Sequence, residues 1–537
     1  MNAIVTICIG ITHQKYAQTS YPTIEKYARK IGAKLITINQ TKLSKASPHF
    51  EKFQLYDLLT KYDRIIYLDT DLIIHDDCPN LFDIVPEDEM GAFDESPFRD
   101  HQQHMEQAST TYHIDINENY DGSYYNTGVM VISRLHRDMF KLPSSQSIYN
   151  HFDQSYLNLY IQANNIKMFK LHHKFNRMPL LDEVTGEHRL NSNIIHYAGI
   201  LNNADKIMIN DLQRWSNGIT NIPKKAILAV GARLGDVISA EPIIRHMIEK
   251  EYRDYEVTIL TSEPRVFAHY QGRAHVVHFN DFQRHPDHSY LTKNIMLPQS
   301  YPIWHHMTAN AMHIIDWMAI NCLKHTLPDD EKQIQLATST DGYTEVLNIL
   351  NGINIEELIV IHPGKSWPSK TFPSEYWQEI IRQLIMAGFK VGVIGKEIEE
   401  IYPKTTVHLG TIPLELSDEV IDFRELLSLD GLFSLLSKAP VLISNDSAPI
   451  HIAGAFDNHI ILIPTCKHPD FVMPWRNSNK YYKGVALVGE PMWESPCKNP
   501  QTLYGYDITT VPIGHNIIEY LPKPEKIIDI VMRIMVS

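Results

Sequence analysis

Short runs of apolar residues alternate with segments of helical spacing over the first two hundred positions of the chain. Strands are predicted where a run is short and continuous, and helices where apolar residues recur every three or four positions. In chain order, these are a strand at Ile4–Ile9, a helix at Pro22–Ile31, a strand at Lys34–Ile38, a helix at Phe53–Leu59 and strands at Arg64–Leu68, Gly91–Phe93, Gly128–Ile132 and Ile194–Tyr197. This alternation predicts an α/β fold around a mainly parallel sheet.

The pattern starts afresh near residue 217. Turn residues and two lysines, Lys224 and Lys225, precede a new apolar strand at Ala226–Val230. Such a cluster of turn residues predicts a domain boundary. Two further runs of alternating strands and helices follow, the second opening at Leu358–Ile361 and closing with a helical tail at Pro524–Met535. The predicted domains are residues 1–220, 225–345 and 356–537, the last with a C-terminal helix.

The composition is that of an ordinary globular protein whose length demands more than one core. The chain has 537 residues, and single cores stop growing at about 250–300 residues. There are 63 acidic and 49 basic residues, which give a formal charge of −14. This acidic excess argues against a nucleic-acid-binding protein.

Cysteine usage and hydropathy bear on the cellular compartment. The five cysteines are scattered and form no C-x-x-C pair, which fits reduced thiols better than a disulfide framework. The N-terminal residues lack the basic and long apolar regions of a signal peptide, and no long apolar run predicts a membrane span. A cytoplasmic protein is predicted, with peripheral contact at the inner membrane left open.

The first candidate site for chemistry follows a predicted buried strand. Asp69 and Asp71 stand two residues apart directly after Arg64–Leu68. Two carboxylates at one strand end suit a single hard divalent cation, which offsets the charge of a diphosphate leaving group. A D-x-D pattern alone is weak, because it also suits a solvated strand end. It gains weight from further polar residues in order along the chain: Lys52, Asn126, Asp153, Gln154 and His196.

These residues together resemble the glycogenin-like glycosyltransferases of family eight, over residues 1–215. The resemblance implies a GT-A-type single α/β domain that takes a sugar from a nucleotide donor, UDP-hexose above all, and retains the anomeric configuration. It implies that Mn²⁺, or Mg²⁺, is held by Asp69, Asp71 and His196. It also implies catalytic positions and donor contacts; the catalytic positions are Asp153 and Gln154, and the donor contacts are Lys52, Asp94 and Asn126.

Plainer interpretations stand beside these roles. His196 also suits a packed strand residue, and Asp153 suits the N-cap of a helix predicted over Gln154–Ile161. The family's Lys-Pro-Trp element is missing. Leu201–Lys206 stands in its place, with Lys206 as the candidate replacement for the lysine.

A second group of polar loops lies in the rest of the chain. The strand Ala226–Val230 enters a glycine-bearing turn and then a helix start that carries Asp236. Asp236 suits a general base or a residue that complements the helix dipole. The turn departs from G-x-G-x-x-G, so a dinucleotide site is poorly supported. Two later strands enter polar loops, in Val360–Pro373 and Leu442–His451, of a kind that binds phosphate without a metal.

These three motifs, in this order, resemble the lipopolysaccharide heptosyltransferases of family nine, over residues 225–537. The resemblance implies a GT-B-type pair of Rossmann-like domains, no metal cofactor, inversion at the anomeric carbon and an ADP-sugar or another nucleotide sugar as donor. It implies Asp236 as the catalytic base and donor contacts from Ser366, Lys370, Asp446, Ser447 and His451. One departure is Ala448, which replaces a glycine whose missing Cβ lets the backbone approach phosphate closely.

The two halves together predict a bifunctional glycosyltransferase that extends a glycan or lipid-linked glycan, in the synthesis of a bacterial surface polysaccharide or lipopolysaccharide. One alternative is a single active transferase fused to a silent module that binds a nucleotide sugar or an acceptor. A non-catalytic nucleotide-sugar sensor is a second alternative. An epimerase in the C-terminal half is a third.

Overall fold

A computed structural model describes residues 1–43, 47–118, 120–143, 152–200, 203–231, 233–285, 288–296, 312–365, 370–402, 405–464, 469–487 and 521–536. The chain forms two compact units. Unit 1 comprises Met1–Lys225 and His285–Leu291, and unit 2 comprises Ala226–Arg284 and Thr292–Ser537. In the part of the chain described, no helix combines the length and the apolar character needed to cross a bilayer.

Unit 1 is an α/β unit. Its strands are β1 (Asn2–Ile7), β2 (Lys34–Ile38), β3 (Arg64–Leu68), β4 (Leu72–Ile74), β5 (Met90–Asp94), β6 (Tyr125–Ser133), β7 (Met168–Lys170) and β8 (Ile194–His196). Its helices are α1 (Ile11–Lys30), α2 (Leu55–Leu58), α3 (Leu81–Ile84), α4 (Gln102–Tyr112), α5 (Phe152–Ala163) and α6 (Ala204–Ser216).

Six of these strands form one mixed sheet, in the order β2-β1-β3-β6-β5-β7. β1 lies parallel to β2 and β3, and β5 lies parallel to β7. β6 runs antiparallel to both of its neighbours, β3 and β5. Every residue of β6 is buried, so its sequence lacks the alternation of apolar and polar residues that indicates an antiparallel strand with one solvated face. The predicted parallel sheet is therefore correct for most pairs and interrupted at β6.

Alternate side chains of the central strand β3 fill the two faces of this sheet. Ile65 and Tyr67 lie in one buried cluster, and Ile66 and Leu68 lie in the other. This period of two follows from the pleat of a strand. Because both faces are covered, β3 is held rigidly, and the residues that follow it are presented at the edge of the sheet.

The second segment of unit 1 is tied into it by polar contacts. Ser289 is buried, and its Oγ donates to Asp182 Oδ1 at 3.1 Å. The Tyr290 N–H donates to the Asp182 carbonyl oxygen at 2.9 Å. The buried Arg177 reaches both Asp182 Oδ1, at 2.7 Å, and Ser289 Oγ, at 3.3 Å. Residues 285–291 are thus part of the folded body of unit 1.

Unit 2 begins within a strand. Its strands are β9 (Lys224–Val230), β10 (Tyr255–Thr261), β11 (Ala274–His278), β12 (Leu291–Met296), β13 (Leu358–His362), β14 (Gly364–Lys365), β15 (Lys390–Val393), β16 (Ile398–Tyr402), β17 (Thr405–Thr411), β18 (Val420–Asp422), β19 (Val441–Asn445), β20 (His459–Ile463) and β21 (Gly484–Ala486). Its helices are α7 (Leu234–Ser239), α8 (Glu241–His246), α9 (Ile314–Leu323), α10 (Thr340–Leu350), α11 (Ser374–Met386), α12 (Leu429–Lys438), α13 (Ala448–Ala453), α14 (Pro469–Val472) and α15 (Pro524–Val536).

Two open sheets carry the architecture of unit 2. The first has the strand order β11-β10-β9-β12. The second has the order β18-β15-β13-β19-β20-β21, and each neighbouring pair in it is parallel. In such sheets the loops at the carboxyl ends of the strands form the ligand crevice. The loops after β13 and β19 are therefore the places to look for a donor site.

Candidate active sites

The two aspartates of the D-x-D motif lie in the turn between β3 and β4. β4 pairs with β8 in antiparallel fashion, which brings His196 beside them. His196 Nε2 lies 3.4 Å from Asp71 Oδ1 and 3.8 Å from Asp69 Oδ2. One ligating atom from each residue lies within 4.8 Å of the other two. The structure thus brings together the three predicted metal ligands, from residues that are far apart in sequence.

Charge is concentrated in this turn. Burial favours the neutral form of His196, but the carboxylates of Asp71 and Asp69 outweigh burial and raise the pKa of the imidazole. Burial likewise opposes ionisation of Asp71, and the nearby His196 outweighs it and lowers the pKa of that carboxyl. The negative charge of Asp69 and Asp71, which favours the protonated form of His196, would also attract a divalent cation.

A hydrogen bond orients the imidazole of His196. Its Nδ1 lies 2.8 Å from Asn176 Oδ1, an acceptor, so Nδ1 carries the hydrogen and Nε2 faces the aspartates. Asn176 Nδ2 in turn donates to Asn126 Oδ1 at 2.9 Å. The motif search missed Asn176, because its partners are 20 and 50 positions away in the chain. The donor set of two carboxylates and an oriented imidazole fits Mn²⁺.

Gly128 leaves the space that His196 occupies. A Cβ at this position would lie 2.2 Å from His196 Cε1 and 2.9 Å from Asp69 Oδ2, and both distances are shorter than real Cβ contacts. The Gly128 carbonyl also accepts from the Asp69 N–H at 2.8 Å. The sequence motif around this glycine is thus explained by close packing against the candidate metal ligands.

Gly128→Ala is expected to weaken Mn²⁺ binding at least about tenfold, because the new methyl group displaces the His196 ring, and shifts around a metal ligand cost about 10–100-fold in affinity. Isothermal titration with Mn²⁺ measures this effect. Gly91→Ala is the matched control, because its Cβ would meet Val85 Cγ2 at 2.6 Å in the core of the same sheet. Equal Mn²⁺ affinity in the two variants would contradict the role given to Gly128.

A buried lysine stands beside the acidic turn. Lys52 Nζ lies 3.1 Å from Asp153 Oδ2 and 3.9 Å from Asp69 Oδ1, and it donates to Thr127 Oγ1 at 3.1 Å. Burial opposes the charge on Lys52, and the surrounding carboxylates outweigh it and raise the pKa of the amine. Burial also opposes ionisation of Asp153, while Lys52 lowers the pKa of that carboxyl. Both groups are held in their charged forms.

The plainer interpretation of Asp153 as an N-cap is wrong. α5 begins at Phe152, so Asp153 is the second residue of the helix rather than the residue before it. Its neighbour Gln154 turns toward β6, where its Oε1 accepts from the Thr127 N–H at 3.0 Å and from Asn126 Nδ2 at 3.3 Å. The first turn of α5 therefore places Gln154 against the strand that carries Asn126 and Asp153 beside Lys52.

Asp94 and Asn126 are brought near one another by an irregularity in the sheet. The register of β5 against β6 shifts between Ala92 and Phe93, and Phe93 then pairs with Asn126. Asn126 Nδ2 donates to Glu95 Oε1 at 2.7 Å. Burial opposes the charge of Asp94, but an ion pair with Lys170, at 2.8 Å, outweighs it and lowers its pKa. Glu95 was not predicted as a site residue, since no sequence motif indicates that it contacts Asn126.

Two further residues were predicted from the sequence to contribute to the sites. Lys206, the candidate replacement for the lysine of the missing Lys-Pro-Trp element, is exposed on α6. Ser366 lies outside the described residues.

In unit 2, the loop after β19 faces the loop after β13. Lys370 Nζ forms an ion pair with Asp446 Oδ2. Ser447 Oγ lies 2.9 Å from His362 Nδ1. The amide of Asn445 ties the two loops together, with Nδ2 donating to the Gly364 carbonyl at 2.9 Å and to the Lys370 carbonyl at 2.7 Å. The structure thus brings together Lys370, Asp446 and Ser447.

His451 and Asp236 lie on two short helices that pack together. His451, on α13, is buried, and its Nδ1 lies 3.4 Å from Ser239 Oγ on α7. A Cβ at Gly235 would lie 3.3 Å from His451 Cδ2 and 3.4 Å from Ala448 Cα. Asp236 is the next residue, in the first turn of α7 and half-buried. Gly235 thus lies against both His451 and Ala448, and a Cβ there would be tight against His451 and in ordinary contact with Ala448.

The two buried imidazoles of this region make unit 2 sensitive to acid. Burial lowers the pKa of His362 to about 4 and that of His451 to about 4. Below about pH 6.5, the two imidazoles bind protons in the unfolded chain but not in the folded chain. The free energy of unfolding therefore falls as the pH drops from about 6.5 toward 4. Above that range the two imidazoles contribute no pH dependence.

In His362→Asn, the free energy of unfolding is expected to fall by about 2 kcal/mol less between about pH 7.5 and pH 5 than it does in the natural protein. Denaturant unfolding of the full chain at both pH values measures the difference. The exposed His275 provides the control His275→Asn, which should keep the slope of the natural protein. An unchanged slope in His362→Asn would contradict this linkage.

Two family models match the chain in the predicted order. The family described as glycosyl transferase family 8 matches residues 11–201. The family described as glycosyltransferase family 9 (heptosyltransferase) matches residues 269–503. These matches confirm the resemblance of the N-terminal half to family eight and of the C-terminal half to family nine.

Solved structures show distant similarity. A family 9 glycosyl transferase from Veillonella parvula matches over 58% of this chain and 97% of its own, with 14% identity and a TM-score of 0.40. ADP-heptose lipopolysaccharide heptosyltransferase II of E. coli matches over 58% of this chain and 98% of its own, with 13% identity and a TM-score of 0.36. The bifunctional glycosyltransferase WbbM matches over 37% of this chain and 45% of its own, with 13% identity and a TM-score of 0.28. Among curated proteins no sequence matches.

The α/β architecture and the family matches define the chain as a glycosyltransferase. More narrowly, a GT-A-type domain of family 8 is followed by a GT-B-type domain of family 9, and the predicted fold class is confirmed. Both families use nucleotide-sugar donors and glycan acceptors.

Proposed function

We propose that the chain carries out two sugar transfers in the synthesis of one bacterial surface glycan. The domain at residues 1–220 would be metal-dependent and retaining, with a UDP-hexose donor. The domains at residues 225–345 and 356–537 would together be metal-independent and inverting, with an ADP-sugar or another nucleotide sugar. The acceptor would be a glycan or lipid-linked glycan at the cytoplasmic face of the inner membrane. The observation that carries the proposal is the convergence of Asp69, Asp71 and an oriented His196.

In unit 1, Asp69, Asp71 and His196 would hold the cation, which when bound offsets the charge of the leaving diphosphate. Lys52 supports this by keeping its ammonium beside the same turn, where a donor phosphate would find a second positive group. Gln154 and the ionised Asp153 share one helical turn. They would bind and orient the donor sugar, while Asn126 and Asp94 fix its hydroxyl groups.

In unit 2, the half-buried Asp236 would accept the proton of an acceptor hydroxyl group as general base. Lys370, Ser447 and the predicted contact Ser366 would hold the donor diphosphate. Lys370 is paired with Asp446 in this structure, so donor binding would exchange that carboxylate for phosphate. His451 is neutral at physiological pH, because burial lowers its pKa to about 4. It would act in donor binding as a hydrogen-bonding group.

The pairing of Lys370 with Asp446 also favours a second candidate function. A lysine whose charge is already compensated within the protein offers less attraction to a diphosphate. Together with Ala448, this favours a protein in which unit 1 is active and unit 2 is a silent module that binds an acceptor or a nucleotide sugar.

A thermal-shift panel of nucleotide sugars on the full chain, with Mn²⁺ and with EDTA, tests the proposal. We expect two responses, one that requires Mn²⁺ and one that persists in EDTA. Asp71→Asn should remove the first response, and Lys370→Met should remove the second. A single, metal-dependent response would support the second candidate function in the form in which unit 2 binds an acceptor, and the absence of any response would contradict both functions. Two responses with sugar transfer only in the presence of Mn²⁺ would support a silent unit 2 that binds a nucleotide sugar.

A further inference from the structure

A second group of metal-ligating side chains lies in unit 2, on elements that carry none of the donor loops. His246 is the last residue of α8, Glu251 ends a π-helical segment at Met247–Glu251, and His325 follows α9. One ligating atom from each of the three lies within 4.8 Å of the other two. Two imidazoles and a carboxylate are a ligand set that zinc proteins use.

The π-helical segment is what brings His246 and Glu251 to one side of the helix. Five residues of a regular α-helix turn the chain by about 140° beyond a full circle, which would point the two side chains apart. The Tyr252 N–H instead donates to the Met247 carbonyl at 2.7 Å, a bond between residues five apart. Because a π-turn takes more residues than an α-turn, side chains five apart come close to alignment. A local departure from regular helix thus coincides with the side-chain cluster.

The hydrogen bonds of the two imidazoles suit metal binding. His246 Nδ1 lies 2.8 Å from Glu331 Oε2, and His325 Nδ1 lies 2.9 Å from the Thr326 carbonyl oxygen. Each Nδ1 therefore carries the hydrogen and each Nε2 keeps its lone pair. A carboxylate behind a ligating histidine, as Glu331 stands behind His246, is the arrangement that orients imidazoles in metal sites.

The surrounding charges favour a cation. Glu331 is also ion-paired with the ammonium of Lys250, so these two groups compensate each other. The carboxylate of Glu251 then leaves the group with one net negative charge. His246 is half-buried, whereas Glu251 and His325 are exposed and can turn toward an ion without disturbing the core.

We propose that His246, Glu251 and His325 form a Zn²⁺ site, with water as the fourth ligand. Ligand atoms of a tetrahedral Zn²⁺ lie about 3.3–3.6 Å apart, and the three ligating atoms lie within 4.8 Å of one another, so binding needs a closure of at most about 1.5 Å. The ion joins the end of α8 to the segment after α9. This site is separate from the proposed sugar transfers, and its test stands whether or not unit 2 is active.

Zinc binding to the full chain tests the proposal. The background is the Asp69→Asn, Asp71→Asn double variant, which disables the cation site of unit 1. Equilibrium dialysis against buffered Zn²⁺ gives stoichiometry and affinity, and Co²⁺ absorption reports tetrahedral geometry. The variants His246→Gln, Glu251→Gln and His325→Gln are compared with His275→Gln, an exposed histidine outside the cluster.

We expect one zinc equivalent in the double variant and in His275→Gln, and at least about tenfold weaker binding in each cluster variant, since even the groups behind metal ligands affect affinity by about 10–100-fold. The tetrahedral Co²⁺ bands should disappear in the same variants. Zinc binding that is equal in all four variants, or that is absent from the double variant, would overturn the proposal. Because Glu251 and His325 are exposed, their variants should fold like the natural protein, so the result does not depend on the half-buried His246 alone.

Discussion

Asp71→Asn is expected to lower the proposed metal-dependent sugar transfer of unit 1 at least about 100-fold, because it removes a charged candidate ligand, and the loss of groups that only support a metal ligand already costs about 10–100-fold. Asp71 Oδ1 lies 3.4 Å from His196 Nε2, so the two side chains face the same point. Asparagine keeps the size of the side chain and removes its negative charge. Turnover of UDP-sugars at saturating Mn²⁺ measures the loss.

Asp76→Asn is the control for this variant. Asp76 lies five positions further on, is exposed and pairs with Lys26 at the surface. Its variant should transfer sugar at the rate of the natural protein. Full Mn²⁺-dependent turnover in Asp71→Asn, with an unchanged unfolding temperature in both variants, would show that the cation site lies elsewhere.

Asp236→Asn is expected to lower transfer by unit 2 by about 10²–10⁴-fold, the range that general-base catalysis contributes. The residue follows Gly235, which lies against Ala448 at the start of the helix after β19. A base at that position borders the loop that carries Asp446 and Ser447. Separate assays with Mn²⁺ and with EDTA should show the loss in the metal-independent reaction alone.

The exposed Asp254 supplies the matched control, Asp254→Asn, which should leave both reactions unchanged. Equal metal-independent transfer in Asp236→Asn and Asp254→Asn would remove Asp236 from the list of candidate bases. A parallel loss of both reactions in Asp236→Asn would point to a folding defect, which the unfolding temperature would reveal.

Two strands of unit 1, the partly exposed β2 and the buried β3, were the elements best predicted from sequence. β2 and β3 begin and end at the predicted residues, because a short apolar run bounded by polar residues leaves little choice of register. Helix starts were predicted less well. α1 begins at Ile11 rather than at Pro22, since Pro22 lies inside the helix and the polar residues before it are partly exposed. The predicted helix at Phe53–Leu59 is divided between a 3₁₀ turn at Pro48–Gln54 and α2.

The candidate metal ligands were predictable because they stand in sequence motifs, and the groups that lie around them were not. Asn176, Gly128 and Glu95 act through distances that only the folded chain supplies. The loops of unit 2 were likewise predictable as motifs. The pairing of Lys370 with Asp446 was not, because the two residues stand 76 positions apart and only the folded chain brings them together. The roles of all these residues stay predictions for the experiments above.

The second segment of unit 1 sets a limit on how this protein can be divided. Residues 285–291 belong to unit 1 although unit 2 begins at residue 226, so the chain leaves unit 1, returns to it and leaves again. A protein truncated at residue 225 would lose Ser289 and Tyr290 as partners of Asp182 and leave the buried Arg177 with one acceptor fewer. The two units are therefore interleaved along the sequence rather than joined by a single linker. A recombination event that exchanged either one would have to cut the chain in three places, which favours inheritance of the pair as a single genetic unit.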